Sequence, residues 1–161
     1  IASDDSGATW SAVRFPRFVT AIGAHERQPI NSAFRGPDGA IHLASDAVGA
    51  SSVFWRSDDD GATWSDPGGC TAGRHTAGVF LRDGRLLAMG GKNSQIDGWM
   101  PRALSSDRGR TFVVEKGPFP AQGANQRPSL LRLASGRLFF AGDFQGPGGD
   151  RPRGSVDAGS Y

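Results

Sequence analysis

Short apolar runs alternate with polar turns along most of this chain. Ser52-Val53-Phe54-Trp55-Arg56, Ala77-Gly78-Val79-Phe80-Leu81, Leu86-Leu87-Ala88-Met89 and Leu138-Phe139-Phe140-Ala141 are the clearest runs. Their length, their aromatic and aliphatic content and their Gly, Pro, Asp and Ser borders predict β-strands. Several are apolar at nearly every position, which predicts sheets buried on both faces. A 3.6-residue apolar period is not found, so helical repeats are excluded.

Two turn patterns recur between these strands. The first reads Ser3-x-Asp5-x-Gly7-x-Thr9-Trp10, Ser57-x-Asp59-x-Gly61-x-Thr63-Trp64 and Ser105-x-Asp107-x-Gly109-x-Thr111-Phe112. Its aspartates are 54 residues apart (5 to 59) and then 48 (59 to 107). Each aspartate is expected to accept hydrogen bonds from turn amides, helped by the Ser and Thr hydroxyls. Each glycine supplies a backbone conformation that a side chain resists. Trp10, Trp64 and Phe112 are expected to point inward as plugs for their sheets. The second pattern is a turn glycine between apolar runs at Gly39, Gly84 and Gly136, spaced by 45 and 52 residues, and it predicts tight hairpins. Together they predict a four-stranded antiparallel unit returning about every 50 residues, the sign of a repeat architecture and, without helices, of β-propeller blades. The Trp-Asp propeller signature is absent.

The three Ser-x-Asp-x-Gly-x-Thr-aromatic motifs resemble the Asp-box, or BNR repeat, of the sialidase (neuraminidase) superfamily. The resemblance covers nearly the whole chain and implies an all-β propeller, typically of six blades, with a box on the turn between the third and fourth strands of a blade. At about 50 residues per blade, 161 residues make roughly three blades. The expected division is the end of one blade (1–15), two blades (16–66 and 67–116) and an incomplete blade (117–161). A half-propeller closed by a second copy of itself fits the same count, because an open array exposes strand edges and apolar surface.

Composition agrees with a loop-rich all-β chain: 24 Gly, 10 Pro and 37% hydrophobic residues. The net charge is +2, and only Lys92 and Lys116 among 18 basic residues are lysines. Arginine binds carboxylates in a fork, which suits an acidic ligand. No basic run or basic-aromatic weave points to nucleic acid. Cys70 is the single cysteine, so neither an internal disulfide nor a cysteine metal cluster is expected. No apolar stretch is long enough for a membrane span. The boxes lack the glutamate of a calcium-binding EF-hand loop, so no metal or cofactor is expected.

In a propeller of this kind the boxes lie on one face and ligands bind the other. That face takes the loops entering each first strand and the loops joining second and third strands. Arg27, Arg74 and Arg127 enter blades at comparable positions, and sialidases hold their substrate carboxylate with three arginines. Neither Arg27-Gln28-Pro29 nor Arg127-Pro128 reproduces the family's Arg-Ile-Pro motif. Asp97, beside Trp99 in a polar loop, is the leading candidate for a general acid or base, because a carboxyl against an indole can have its pKa raised. Asp46 and Asp143 are second choices. Trp99 can stack on a sugar ring, and His75, Asn125 and Gln126 can hydrogen-bond a ligand. Sialidases use a tyrosine nucleophile activated by glutamate. Tyr161, Glu26 and Glu115 are not assigned to that pair, and Glu115 is expected on an outer strand. The resemblance thus implies a segment of an exo-α-sialidase-like glycoside hydrolase acting on a terminal acidic sugar of a glycan. The alternatives are a non-catalytic propeller that binds glycan or protein, and an Asp-box glycosidase for neutral polysaccharide.

Overall fold

The computed structural model describes residues 1–20, 31–47, 49–90, 94–122 and 127–142. Every regular element among them is a strand, so the fold is all-β. The strands are β1 (Arg17–Phe18), β2 (Phe34–Arg35), β3 (Ile41–Ala47), β4 (Ser51–Ser57), β5 (Thr63–Trp64), β6 (Cys70–Ala72), β7 (Ala77–Phe80), β8 (Leu86–Met89), β9 (Trp99–Ser105), β10 (Val113–Pro120), β11 (Ser129–Arg132) and β12 (Leu138–Ala141). They form two four-stranded antiparallel sheets, β2-β3-β4-β6 and β7-β8-β9-β10, and a hairpin, β11-β12. β1 runs parallel to β5.

The outer strand of the first sheet is interrupted. Ser65 bridges to Arg56, the ladder stops over Asp66-Pro67-Gly68-Gly69, and β6 resumes it against Ser51–Val53. Pro67 has no N–H to donate, which explains the gap. This sheet therefore reaches Ala72, beyond the expected boundary at 66. The second extends to Pro120 rather than 116, with a register irregularity after Lys116.

Three apolar layers hold the stack. Phe18 packs with Val53, Trp55 and Trp64 on one face of the first sheet. Phe54, Phe80, Leu86, Ala88 and Ala103 fill the space between the sheets, with Phe34 and Phe112 against them. Leu87, Met89, Met100 and Phe140 join the second sheet to the hairpin. Along β4, Val53 and Trp55 face one layer and Phe54 the other, as the two-residue strand period requires. Both sheets are covered on two faces, as their apolar strands predict.

All three boxes fold alike. In the second, Asp59 Oδ1 accepts from the Thr63 amide at 2.7 Å and from Ser57 Oγ at 2.9 Å, and Oδ2 accepts from Thr63 Oγ1 at 2.6 Å. Ser57 Oγ in turn accepts from the Gly61 amide at 2.9 Å. Asp5 and Asp107 repeat these bonds. Both inner turn residues have positive φ: 52° and 84° at Asp60 and Gly61. Hydrogen bonds from the threonine, chiefly its hydroxyl, hold each of the three carboxyls down to about 2. Trp64 is buried and Phe112 half-buried, as plugs should be. Trp10 departs from that expectation at 61% exposure, because no sheet lies beneath it among the described residues.

The turns at Gly39, Gly84 and Gly136 are tight hairpins, as expected, with three-residue loops. Gly36 and Ala40 close the first with a 2.8 Å bond, and Gly39 sits at φ 84°. A type I turn followed by one left-handed residue gives this geometry.

Gly78 on β7 lies directly under the Phe54 ring, and a Cβ there would overlap it. Gly78→Ala should cost about 1–3 kcal/mol, since overpacking a tight layer forces both sheets to shift. Urea denaturation should show a lower midpoint that Phe54→Leu partly restores. An unchanged midpoint would mean that the layer is not tight.

His42 lies wholly buried between Phe34 and Phe80, with ring centroids 5.7 and 4.9 Å away, and neither of its nitrogens has a hydrogen-bond partner. Desolvation, aided by the Arg56 and Arg108 guanidiniums and opposed by Asp38 and Asp58, holds its pKa down to about 4 from 6.5. The unfolded chain therefore binds this proton between about pH 6.5 and 4 and the native chain does not. Stability is complete above that window and falls through it, by about 3 kcal/mol. The box carboxyls titrate below it. His42→Leu should flatten the fall in denaturation measured from neutral pH to about pH 4.5.

Candidate functional site

The antiparallel ladders sort the turns to two ends. Ser57 pairs with Ile41 and Ser105 with Leu86, so the boxes share one end with the Asp38-Gly39 and Asp83-Gly84 turns. At the opposite end β3 finishes, and the chain crosses from β6 to β7 through Gly73-Arg74-His75-Thr76.

Asp46 organises that crossover. The side chain is fully buried, near the end of a strand that is apolar or small apart from His42. Its Oδ1 accepts from the His75 amide at 2.8 Å. Its Oδ2 accepts from Arg74 Nε at 3.0 Å and lies 3.4 Å from His75 Nε2. His75 is buried and holds a φ of 59°, unusual for a residue with a Cβ, and the bond to its own amide supports it. Around it, Ser52 Oγ and Thr76 Oγ1 donate to the Gly73 carbonyl at 3.0 and 2.9 Å, and Asn31 Nδ2 donates to the Thr76 carbonyl at 2.9 Å. The Arg74 side chain is 25% exposed and reaches the surface from this mesh. With Nε tied to Asp46, the guanidinium plane is fixed, which suits in-plane recognition of an anion.

Thr76 leads into a cleft of about 310 Å³ between β2, β7 and β11, the first strands of the two sheets and of the hairpin. Asn31, Ala77 and Pro128 line it toward the Asp46 end, and Arg35, Phe80 and Arg132 toward the box end. Arg127 is exposed and immediately precedes the buried, cleft-lining Pro128.

Asp97 lies where expected, in the loop joining the second and third strands of its sheet, beside Trp99 and at the end opposite the boxes. Ile96 and Trp99 exchange backbone bonds of 2.9 and 3.0 Å, and Asp97 and Gly98 between them have φ of 53° and 82°. That is a two-residue type I′ hairpin turn. Its side chain is 81% exposed and lies 3.8 Å from Lys116 Nζ. The residue occupies the first inner position of that turn with its carboxylate facing solvent. Trp99 is 38% exposed, with Lys116 Nζ 5.3 Å from its ring centroid. Glu115 pairs with Arg102 on the outer strand β10, as expected. The structure thus unites His75 and Arg74 with Asp46, while Asp97 and Trp99 form a separate group with Lys116. Arg27, Asn125, Gln126, Asp143, Glu26 and Tyr161 lie outside the described residues.

The sequence ranked Asp46 second and passed over Ser52, Asn31 and Thr76. A signal existed: Asp46 is the one charged residue in Ile41–Ala47, whose neighbours predict burial. Among the described residues, no three His, Cys, Asp or Glu side chains gather into a metal-binding group, and no helix is long and apolar enough to cross a membrane.

Asp46→Ala would leave the Arg74 charge and the buried His75 amide without this carboxylate. Breaking a buried pair in this way should cost about 3 kcal/mol. Amide exchange at His75 and Thr76 should accelerate with it. Unchanged protection there would show that the crossover stands without Asp46.

The sequence matches no family model and no curated protein. The fold is similar to that of a crystal structure of a protein of unknown function from Dyadobacter fermentans DSM 18053, with a TM-score of 0.66 and 20% identity. The match covers 89% of this chain but 43% of that one, so the chain spans less than half of the similar structure.

Proposed function

We propose that this chain is a segment of a sialidase-type Asp-box β-propeller whose end opposite the boxes binds a terminal acidic sugar through Arg74. Three box turns, two-faced sheets stacked in chain order and first strands gathered around a cleft all support the propeller reading. The observation that carries the ligand reading is the Asp46 carboxylate holding Arg74 Nε at 3.0 Å. A guanidinium fixed in this way loses little freedom on meeting a carboxylate, so its binding geometry is prepared. Hydrolysis requires a proton donor near that guanidinium. The exposed, Lys116-paired position of Asp97 favours a second reading, in which the propeller binds the glycan without cleaving it.

Calorimetric titration of the full chain with sialyllactose and with neutral lactose tests the ligand. Sialyllactose should bind and lactose should not compete. Arg74→Ala should weaken binding about tenfold or more, equivalent to about 1.4 kcal/mol, and Arg74→Lys should recover only part of it. Equal binding of the two sugars, or an unaltered Arg74→Ala variant, would overturn the proposal. Release of free sugar that disappears in Asp97→Asn would restore the hydrolase reading.

A further inference from the structure

Four Asp-Gly pairs occur in the sequence, at 38–39, 60–61, 83–84 and 97–98, and all four lie within the described residues. Such pairs can rearrange without any reagent but water. The glycine amide nitrogen attacks Cγ of the aspartate after its carboxylate has taken a proton from solvent, and the resulting hydroxyl leaves with the amide proton as water. A five-membered succinimide results. Water then adds either to the Cγ carbonyl, restoring aspartate, or to the backbone carbonyl. The second route continues the chain through Cβ and Cγ as isoaspartate. The water lost is regained, and the mass is unchanged.

The reaction needs an available glycine nitrogen and a carboxyl free to turn toward it. Three of the four pairs deny both. The Gly39 amide donates to the Gly36 carbonyl at 3.0 Å, that of Gly84 to Leu81 at 3.1 Å, and that of Gly61 to Ser57 Oγ at 2.9 Å. Their carboxylates are held as well. Asp38 accepts from Arg56 at 2.8 Å and lies 3.2 Å from Arg108, Asp83 accepts from the Arg85 side chain at 2.8 Å, and Asp60 from Arg35 at 2.7 Å.

The fourth pair is different. The Gly98 amide donates no hydrogen bond among the described residues. The Asp97 carboxylate is as exposed as that of Asp60, but its ion contact, Lys116 at 3.8 Å, lies beyond hydrogen-bond distance.

From this contrast we propose that Asp97-Gly98 is a spontaneous modification site, at which the folded chain forms isoaspartate in preference to its other Asp-Gly pairs. The extra backbone atom cannot be accommodated in a two-residue turn closed by paired Ile96–Trp99 bonds. Isomerisation therefore releases the start of β9 and separates Trp99 from Lys116.

The full chain would be aged at neutral pH and body temperature, and isoaspartate located by radical-fragmentation mass spectrometry of its peptides. A parallel sample would be aged in concentrated urea. In the native sample, isoaspartate should form at position 97 several-fold faster than at 38, 60 or 83. In urea the four rates should converge, because the hydrogen bonds that separate them are gone. Asp97→Glu, which cannot form the five-membered ring readily, should remove the signal at 97 alone. A native rate at 97 no higher than at the other three, or the same preference in urea, would overturn the proposal.

Discussion

Phe54 rests on Gly78, and the closeness of that contact sets the distance between the two four-stranded sheets. With no side chain on β7 at that point, the ring can fill the layer and bring Phe34, Phe80 and Phe112 around it. A sheet packed so closely on both faces has no room for polar side chains along its middle. The polar chemistry is therefore driven to the two ends of the stack. His42 is one exception, kept neutral by its burial between Phe34 and Phe80, and Arg102, midway along β9, is another.

The two ends satisfy their polar groups by different means. At the box end the solution is local: one carboxylate, two hydroxyls and two turn amides within seven residues. Adjacent units are then linked through backbone and ion pairs. The Gly69 amide donates to the Gly109 carbonyl at 3.0 Å, and Asp38 lies between Arg56 and Arg108. At the other end the solution is long-range, since Asp46 reaches residues 28 and 29 positions later in the chain. The first design repeats because it asks nothing of its neighbours. The second is particular to this crossover.

Arg74 and the Trp99–Lys116 pair stand at the same end on successive sheets but are built with unequal rigidity. Arg74 is anchored to a fully buried carboxylate within a mesh of side-chain and backbone bonds. Trp99 and Lys116 are held by a two-residue turn and an exposed ion pair, a contact of the kind worth little in water. Fixed geometry thus belongs to the Asp46 crossover, and susceptibility to change belongs to the Asp97 turn.

By itself the sequence determined the all-β class, the strand sequence, the three box turns and the double-sided burial of the sheets. Each of these depends on residues close together in the chain: Asp59 and Thr63, Val53 and Phe54, Gly84 and its flanking apolar runs. Tertiary structure decided which of two carboxylates is buried at the far end, although the neighbours of Asp46 in Ile41–Ala47 already pointed that way. Asp46 and Asp97 both read as polar positions between strands, and the indole beside Asp97 made it the more attractive. Burial is set by what arrives from elsewhere. The crossover from the next unit closes over Asp46, while nothing among the described residues covers Asp97. Likewise Trp10 and Trp64 share one motif, and only the sheet beneath Trp64 makes it a core residue.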